Sequence, residues 1–294
     1  MMSAYDELMA FQRETEALAQ IAGRLGWDQE TMMPRGAAEQ RGEEMAAIEG
    51  VLHARRTDPR LADWLEAAEP EDDEAQAQLR LIRRSYDRAT KIPAELAQAL
   101  ARVTSTAQGI WAEARAAENV ADFLPTLAEV IDLKREEAAA LAQGGDLYDA
   151  LMDDYEPGAT AATTAAMFDR MRPRLVRLRE AVLAAPAPAP LNHHFGENAQ
   201  LRFARDLAAR FGYDFTRGRL DLAVHPFSSG SGNDVRITTR VVETDPFNCF
   251  YSTIHEVGHA CYELGIDPDY LLTPLGNGAS MGVHESQSRI YENQ

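Results

Sequence analysis

Through the first 200 residues, apolar positions recur at the three- and four-residue spacing of one helix face, with Glu, Gln and Arg between them. That pattern predicts amphipathic helices over about 3–26, 36–56, 59–68, 72–90, 93–118, 121–143, 160–185 and 195–211. Turn signals separate them: Pro34-Arg35-Gly36, Asp58-Pro59, Pro70-Glu71-Asp72-Asp73, Ile92-Pro93 and Pro157-Gly158. Alanine reinforces the reading, since 43 of its 49 occurrences fall in residues 1–200 and it is the strongest helix former. Between Ala184 and Asn192, prolines 186, 188 and 190 alternate with alanine, which excludes helix and predicts an extended hinge. No fixed-period repeat is present, so a solenoid is not supported.

The pattern changes near residue 219. Leu220-Asp221-Leu222-Ala223-Val224 and the run from Val235 to Val242 carry β-branched residues with partial alternation. The turn-rich stretch Ser228 to Asn233 lies between them, which predicts a small antiparallel hairpin. A helix is expected from about Pro246 to Leu264, and another begins near Ser280 and still reads as helix through Ile290 to Gln294. The fold class expected is mainly α, with this hairpin preceding the later helices.

Composition narrows the function classes. With 29 Lys and Arg against 47 Asp and Glu, the net charge is −18. So large a negative charge repels phosphates, and no basic stripe offsets it; nucleic acid and anionic membrane surfaces are disfavoured partners. A 45% hydrophobic content suffices for a buried core. Two cysteines, Cys249 and Cys261, make no disulfide framework. No window approaches the roughly 20 apolar residues of a membrane span, and the N-terminus lacks a signal-peptide pattern. A soluble, reduced, cytoplasmic protein is expected.

The chemistry is concentrated in His255-Glu256-Val257-Gly258-His259. Residues four apart on an α-helix lie about 40° from one another, so the two imidazoles project from one face, one turn apart. At that spacing they can share one zinc ion at Zn–N distances of about 2.0–2.1 Å. Glu256 follows the first histidine directly, beside the metal but angled off the ligand pair, where it can act as a general base. A catalytic zinc needs a third protein ligand. His284 and Glu285, in Gly282-Val283-His284-Glu285-Ser286-Gln287-Ser288, both offer one; the intervening Pro268, Pro274, Gly276 and Gly278 allow the chain to turn back. Two histidines with a carboxylate is the thermolysin-type set, while His284 competes on spacing alone. His53, His193 and His194 read as surface residues, Cys261 as packing beside the metal helix, and Met32, Met33 and Trp111 as core.

Four motifs in order make the sequence resemble the M32 family of metallocarboxypeptidases. They are His225-Pro226-Phe227, then Asp234-Val235-Arg236-Ile237-Thr238, then His255 to His259, then His284-Glu285-Ser286-Gln287. Trp27 to Pro34 also looks like the family's N-terminal region, so the resemblance covers essentially the whole sequence. It implies a helical array around a groove, of the zincin type shared with neurolysin and angiotensin-converting enzyme. Residues 1–190 would form one side of that groove and 191–294 the zinc-binding catalytic region. It further implies removal of C-terminal residues from peptides with broad tolerance, one Zn2+ per chain (cobalt as a substitute), and a homodimer. By matching motifs, His255, His259 and Glu285 would be the zinc ligands and Glu256 the base. His225, Asp234, Arg236, Thr238 and His284 would shape the cleft and position substrate. In the family, I-R-x-x-A-D and G-x-x-Q-D-x-H-W motifs follow; neither occurs here, which implies a chain lacking the family's C-terminal part. Two other readings remain: a zinc-binding protein with little or no activity, and an endo-acting oligopeptidase of the related M3 type.

Overall fold

Helix-forming residues, side-chain caps and small residues at crossings account for most of the architecture. The computed structural model describes residues 2–293. The chain begins with α1 (Ala4–Thr31), α2 (Ala38–Arg56), α3 (Arg60–Ala67), α4 (Asp73–Ala89) and α5 (Ala94–Ala116). There follow α6 (Leu124–Ala142), α7 (Leu147–Met152), α8 (Ala161–Ala184) and α9 (Glu197–Arg210). Three short strands, β1 (Leu220–Leu222), β2 (Ser228–Ser231) and β3 (Asp234–Thr239), precede α10 (Pro246–Leu264) and α11 (Met281–Asn293). The expected helices are thus present, with α7 as an unforeseen short addition and α1 continuing through Trp27. The Pro-Ala run beyond Ala184 is not helical, as its prolines require. Residue 294 lies outside the described residues.

Caps start the helices where the sequence supplies them. Ser3 and Asp6 form a capping box at α1, Asp72 accepts from the Ala75 amide at α4, and Thr160 and Thr163 cap α8 reciprocally. Small residues let α2 and α5 approach: a Cβ at Gly50 would lie 2.9 Å from the Gln98 amide nitrogen. Leu8, Met9, Leu61, Leu65 and Ile82 close a core among α1, α3 and α4, and each such burial contributes about 1.5–3 kcal/mol. In contrast, α8 buries no side chain, and Phe168, Met171, Leu175, Leu178 and Val182 stay exposed along it. His53 is not a free surface residue: its Nε2 lies 2.7 Å from the Ile92 carbonyl, tying α2 to the end of α4. His193 and His194 are exposed as expected. Met32, expected in the core, is 51% exposed because it sits beyond the last turn of α1.

The sheet departs from the expected hairpin. Its order is β1-β3-β2, and β1 pairs with β3 in parallel, Leu220 opposite Ile237. The antiparallel partner of β3 is β2, drawn from the Ser-Gly stretch expected to be only a turn. Serine and glycine are poor strand formers, but an edge strand needs only backbone hydrogen bonds. Gly230 takes a positive φ of 101°, and a Cβ there would fall 2.0 Å from the Asp234 carbonyl oxygen.

The core that carries the later helices is built on β3. Val235, Ile237 and the α10 residues Val257 and Ala260 are fully buried together with Ala208 of α9 and Tyr213. Hydroxyls bolt β3 to α10: Thr239 donates to the Cys249 carbonyl (3.0 Å) and Thr253 donates to Thr239 (3.1 Å). The opposite face of β3 holds α1. Arg24 pairs with Asp234 at 2.9 Å, and Gln20 donates to Ser231 at 3.0 Å.

Candidate metal centre

The buried face of α10 runs Pro246, Cys249, Thr253, Glu256, Val257, Ala260 and Glu263, at the three-to-four spacing of one helical stripe. His255 and His259 flank that stripe and are half-buried rather than solvated. Their rings lie 4.9 Å apart with planes at 78°.

What faces them is α11, and a glycine decides how closely it approaches. At Gly258 a Cβ would lie 2.6 Å from the Ser288 Cα and 2.8 Å from the Gln287 carbonyl oxygen. Both are backbone atoms, so the two helices touch main chain to main chain there. The first turn of α11 is anchored by the segment after α7. Met281 N–H donates to the Tyr155 carbonyl and Gly282 N–H to Glu156 Oε2, both at 2.9 Å. Glu285, Ser288, Arg289 and Glu292 then share one face of α11, at i, i+3, i+4 and i+7, turned toward the histidines.

Glu285 Oε2 lies 3.3 Å from His259 Nε2 and 3.6 Å from His255 Nε2. One donor atom from each of the three residues falls within 4.8 Å of the others. Tetrahedral coordination at Zn–N and Zn–O distances near 2.0–2.1 Å would put ligand atoms about 3.3–3.4 Å apart. The donor set therefore fits a divalent cation. His255 Nδ1 lies 3.2 Å from Glu292 Oε2, a carboxylate that accepts from it and leaves Nε2 for the metal. Arg289 donates to Glu285 Oε1 (2.9 Å) and to Glu292 Oε2 (2.8 Å), bracing both carboxylates.

Electrostatics separate the groups. Burial, with His284 and His255 adding to it, pushes His259 down to about 4, so at neutral pH the ring is uncharged and able to ligate. Burial alone would raise Glu285, but His255 and Arg289 hold it below the usual carboxylate range. Glu256 is only 5% exposed, and burial, followed by the charge of Glu285, pushes it up to about 8. Its folded value exceeds the unfolded one. In metal-free protein this group therefore supports stability at acid pH, and that support is lost as pH rises from about 4.5 to about 8. Glu256→Gln is expected to match the parent near pH 4 and to be the more stable of the two at pH 8. Urea midpoints of the chelated proteins at both pH values would check this; equal midpoints at pH 8 would contradict it.

Of the other expected site residues, Asp234, Arg236, Thr238 and His225 are not in the converging donor set. Asp234, Arg236 and Thr238 share one face of β3, as a period of two requires. Asp234 clamps Arg24 and Arg236, Arg236 stacks 4.3 Å over the Trp27 ring, and Thr238 is bonded to Phe227 N (2.8 Å) and O (3.0 Å). They fasten α1 and the His225-Pro226-Phe227 loop to the sheet and are not part of the converging donor set. His225 is exposed in the bend before β2. Cys261 packs with the β3 core rather than joining the ligands. His284 reaches the site, its Nδ1 lying 2.6 Å from His259 Nδ1. Glu263, Arg289 and Glu292 are site residues that the sequence reading missed. Glu263 at i+4 from His259 was the available signal, but nothing in the sequence says what stands opposite it.

A family model described as Carboxypeptidase Taq (M32) metallopeptidase matches residues 7–294. The chain belongs to the M32 metallopeptidase family. Thermostable carboxypeptidase 1 of Thermus thermophilus is 42% identical over 311 residues, covering 99% of this chain and 61% of that relative. Its namesake from Pyrococcus furiosus is 33% identical, covering 98% and 59%. Among solved structures, an M32 carboxypeptidase from Deinococcus radiodurans superposes with a TM-score of 0.85 at 40% identity, over 99% of this chain and 60% of that one. The structure titled BsuCP superposes with a TM-score of 0.94 at 29% identity. The mainly helical fold with its small sheet is thus the M32 fold, and this chain spans about three-fifths of the length of these M32 relatives.

Proposed function

We propose that this chain carries the zinc-binding part of a metallocarboxypeptidase that removes C-terminal residues from peptides. The carrying observation is the convergence of His255, His259 and Glu285 donor atoms within 4.8 Å, beside a buried Glu256, in a member of the M32 family. Two imidazoles and one carboxylate suit zinc, with cobalt as a workable substitute. When bound, a divalent cation supplies Lewis acidity and makes water a competent nucleophile near neutral pH.

The protein's own residues do the rest. His255 is oriented through Nδ1 by Glu292, and Glu285 is steadied through Oε1 by Arg289, so neither ligand must be ordered at the moment of binding. Glu256 accepts a proton on its carboxylate as water attacks the scissile carbonyl and passes it to the leaving amine. Its raised value of about 8 in the cation-free site favours holding that proton, and the positive charge of a cation held by His255, His259 and Glu285 would lower it. Free thiols at Cys249 and Cys261 suit a reducing, cytoplasmic setting. No helix among the described residues is long and apolar enough to cross a membrane.

Paired peptides test the reading. With zinc supplied, a free-acid peptide is expected to lose its C-terminal residue, and its C-terminally amidated twin to remain intact. Equal internal cleavage of both would favour an M3-type oligopeptidase. Stoichiometric zinc without turnover would favour a zinc-binding protein with little or no activity.

A further inference from the structure

We propose that Glu263 and His284 are positioning residues that fix the tautomer of His259 and thereby present its Nε2 lone pair to the metal. This rests on the metal-centre reading of His255, His259 and Glu285. His284 Nε2 lies 2.8 Å from Glu263 Oε1, and a carboxylate oxygen can only accept, so His284 carries its proton on Nε2. With that single proton on the ring, His284 has an acceptor at Nδ1, which lies 2.6 Å from His259 Nδ1. Only His259 can supply the proton of that bond, from Nδ1. Its Nε2 is left with a bare lone pair, 3.3 Å from Glu285 Oε2. The opposite tautomer of His284 would set a ring lone pair against a carboxylate lone pair at 2.8 Å.

Packing holds the relay in that order. Glu263 is 8% exposed, and its Oε2 has no hydrogen-bond partner among the described residues, so His284 is the one side chain hydrogen-bonded to its carboxylate there. Tyr262 meets the His284 ring edge to face at 5.1 Å, and the Tyr262 hydroxyl accepts from Ala279 N–H at 3.1 Å. Gly278 closes the cage: a Cβ there would lie 2.8 Å from His284 Cδ2 and 3.1 Å from Glu263 Oε1. Glycine at 278 is therefore what leaves space for the ring and its carboxylate partner. The two ligand histidines are therefore oriented at different depths, His255 directly by Glu292 and His259 through an intervening imidazole. His284, which competed as a ligand on sequence spacing, stands behind the ligand instead.

Long-range 1H–15N correlation on metal-free protein with 15N-labelled histidine reads the tautomers directly. His284 is expected with its proton on Nε2 and His259 with its proton on Nδ1. A His259 ring protonated on Nε2, or a doubly protonated His284 at neutral pH, would overturn the proposal. Because this measurement needs no metal, it decides the relay even where the chain takes up no zinc, an outcome that would sink the metal-centre reading alone. As a second arm, zinc affinity by chelator competition is expected to fall about 10- to 100-fold in Glu263→Leu and His284→Phe, and less in Glu263→Gln, which keeps an acceptor. The Co2+ visible spectrum should shift in the same variants while the metal-free unfolding midpoint of Glu263→Gln stays near the parent's. Affinity and spectrum unchanged in both Glu263→Leu and His284→Phe would overturn it.

Discussion

Glu256→Gln is expected to lower peptide hydrolysis by about 100- to 10,000-fold while leaving zinc stoichiometry unchanged, the range that a positioned acid–base group contributes. The substitution conserves shape in a position only 5% exposed, so the packing of α10 against β3 should survive. The amide cannot take up a proton from attacking water or return one to an amine. The ligand atoms lie on His255, His259 and Glu285, and removing the Glu256 charge relieves its repulsion with Glu285. Metal content by atomic emission and turnover on a free-acid peptide, measured on the same preparation, check both halves. Undiminished hydrolysis would remove Glu256 from the proposed chemistry, and loss of zinc would make it part of the metal site.

Gly258→Ala is expected to disrupt the backbone contact between α10 and α11 that positions Glu285. Its Cβ would meet the Ser288 Cα at 2.6 Å and the Gln287 carbonyl at 2.8 Å, and neither backbone atom can rotate away. Either α11 moves outward or the metal-free protein loses stability toward the upper end of the about 1–3 kcal/mol typical of overpacking. Outward movement carries Glu285 with it, because that residue lies only one turn before Ser288 on the same helix. Zinc affinity is expected to fall more than 100-fold, exceeding the usual cost of losing an outer partner because a ligand itself is withdrawn. Chelator competition and thermal unfolding with and without zinc measure the two effects. A variant that binds zinc as tightly as the parent would show that the backbone contact does not set ligand geometry.

Much of the fold was legible because its elements are local. Helix boundaries such as Pro246–Leu264 follow from proline at the first turn and a continuous apolar stripe, both readable along the chain. The sheet was less legible. A Ser-Gly edge strand has no side-chain pattern, and whether a neighbour pairs in parallel depends on where a loop returns. The D-x-R-x-T residues show a similar limit. The resemblance implies that Asp234 and Arg236 shape the cleft; that Asp234 also pairs with Arg24 and Arg236 also stacks on Trp27, each more than 200 positions away, is a relation no local pattern contains.

By itself, the sequence determined that His255 and His259 share one helix face, that Glu256 adjoins them, and that a mainly helical chain surrounds them. The reason is geometric: spacing along one helix fixes direction without any further contact. Only the tertiary structure decided between His284 and Glu285 as the third converging group, since both reach α10 on the same helix. The contact at Gly258 sets the depth and rotation of α11, and that rotation puts Glu285 over the two Nε2 atoms and His284 behind His259. Likewise, Glu263, Glu292 and Arg289 become parts of the site only through what stands opposite them, a relation between two helices that no single periodicity contains.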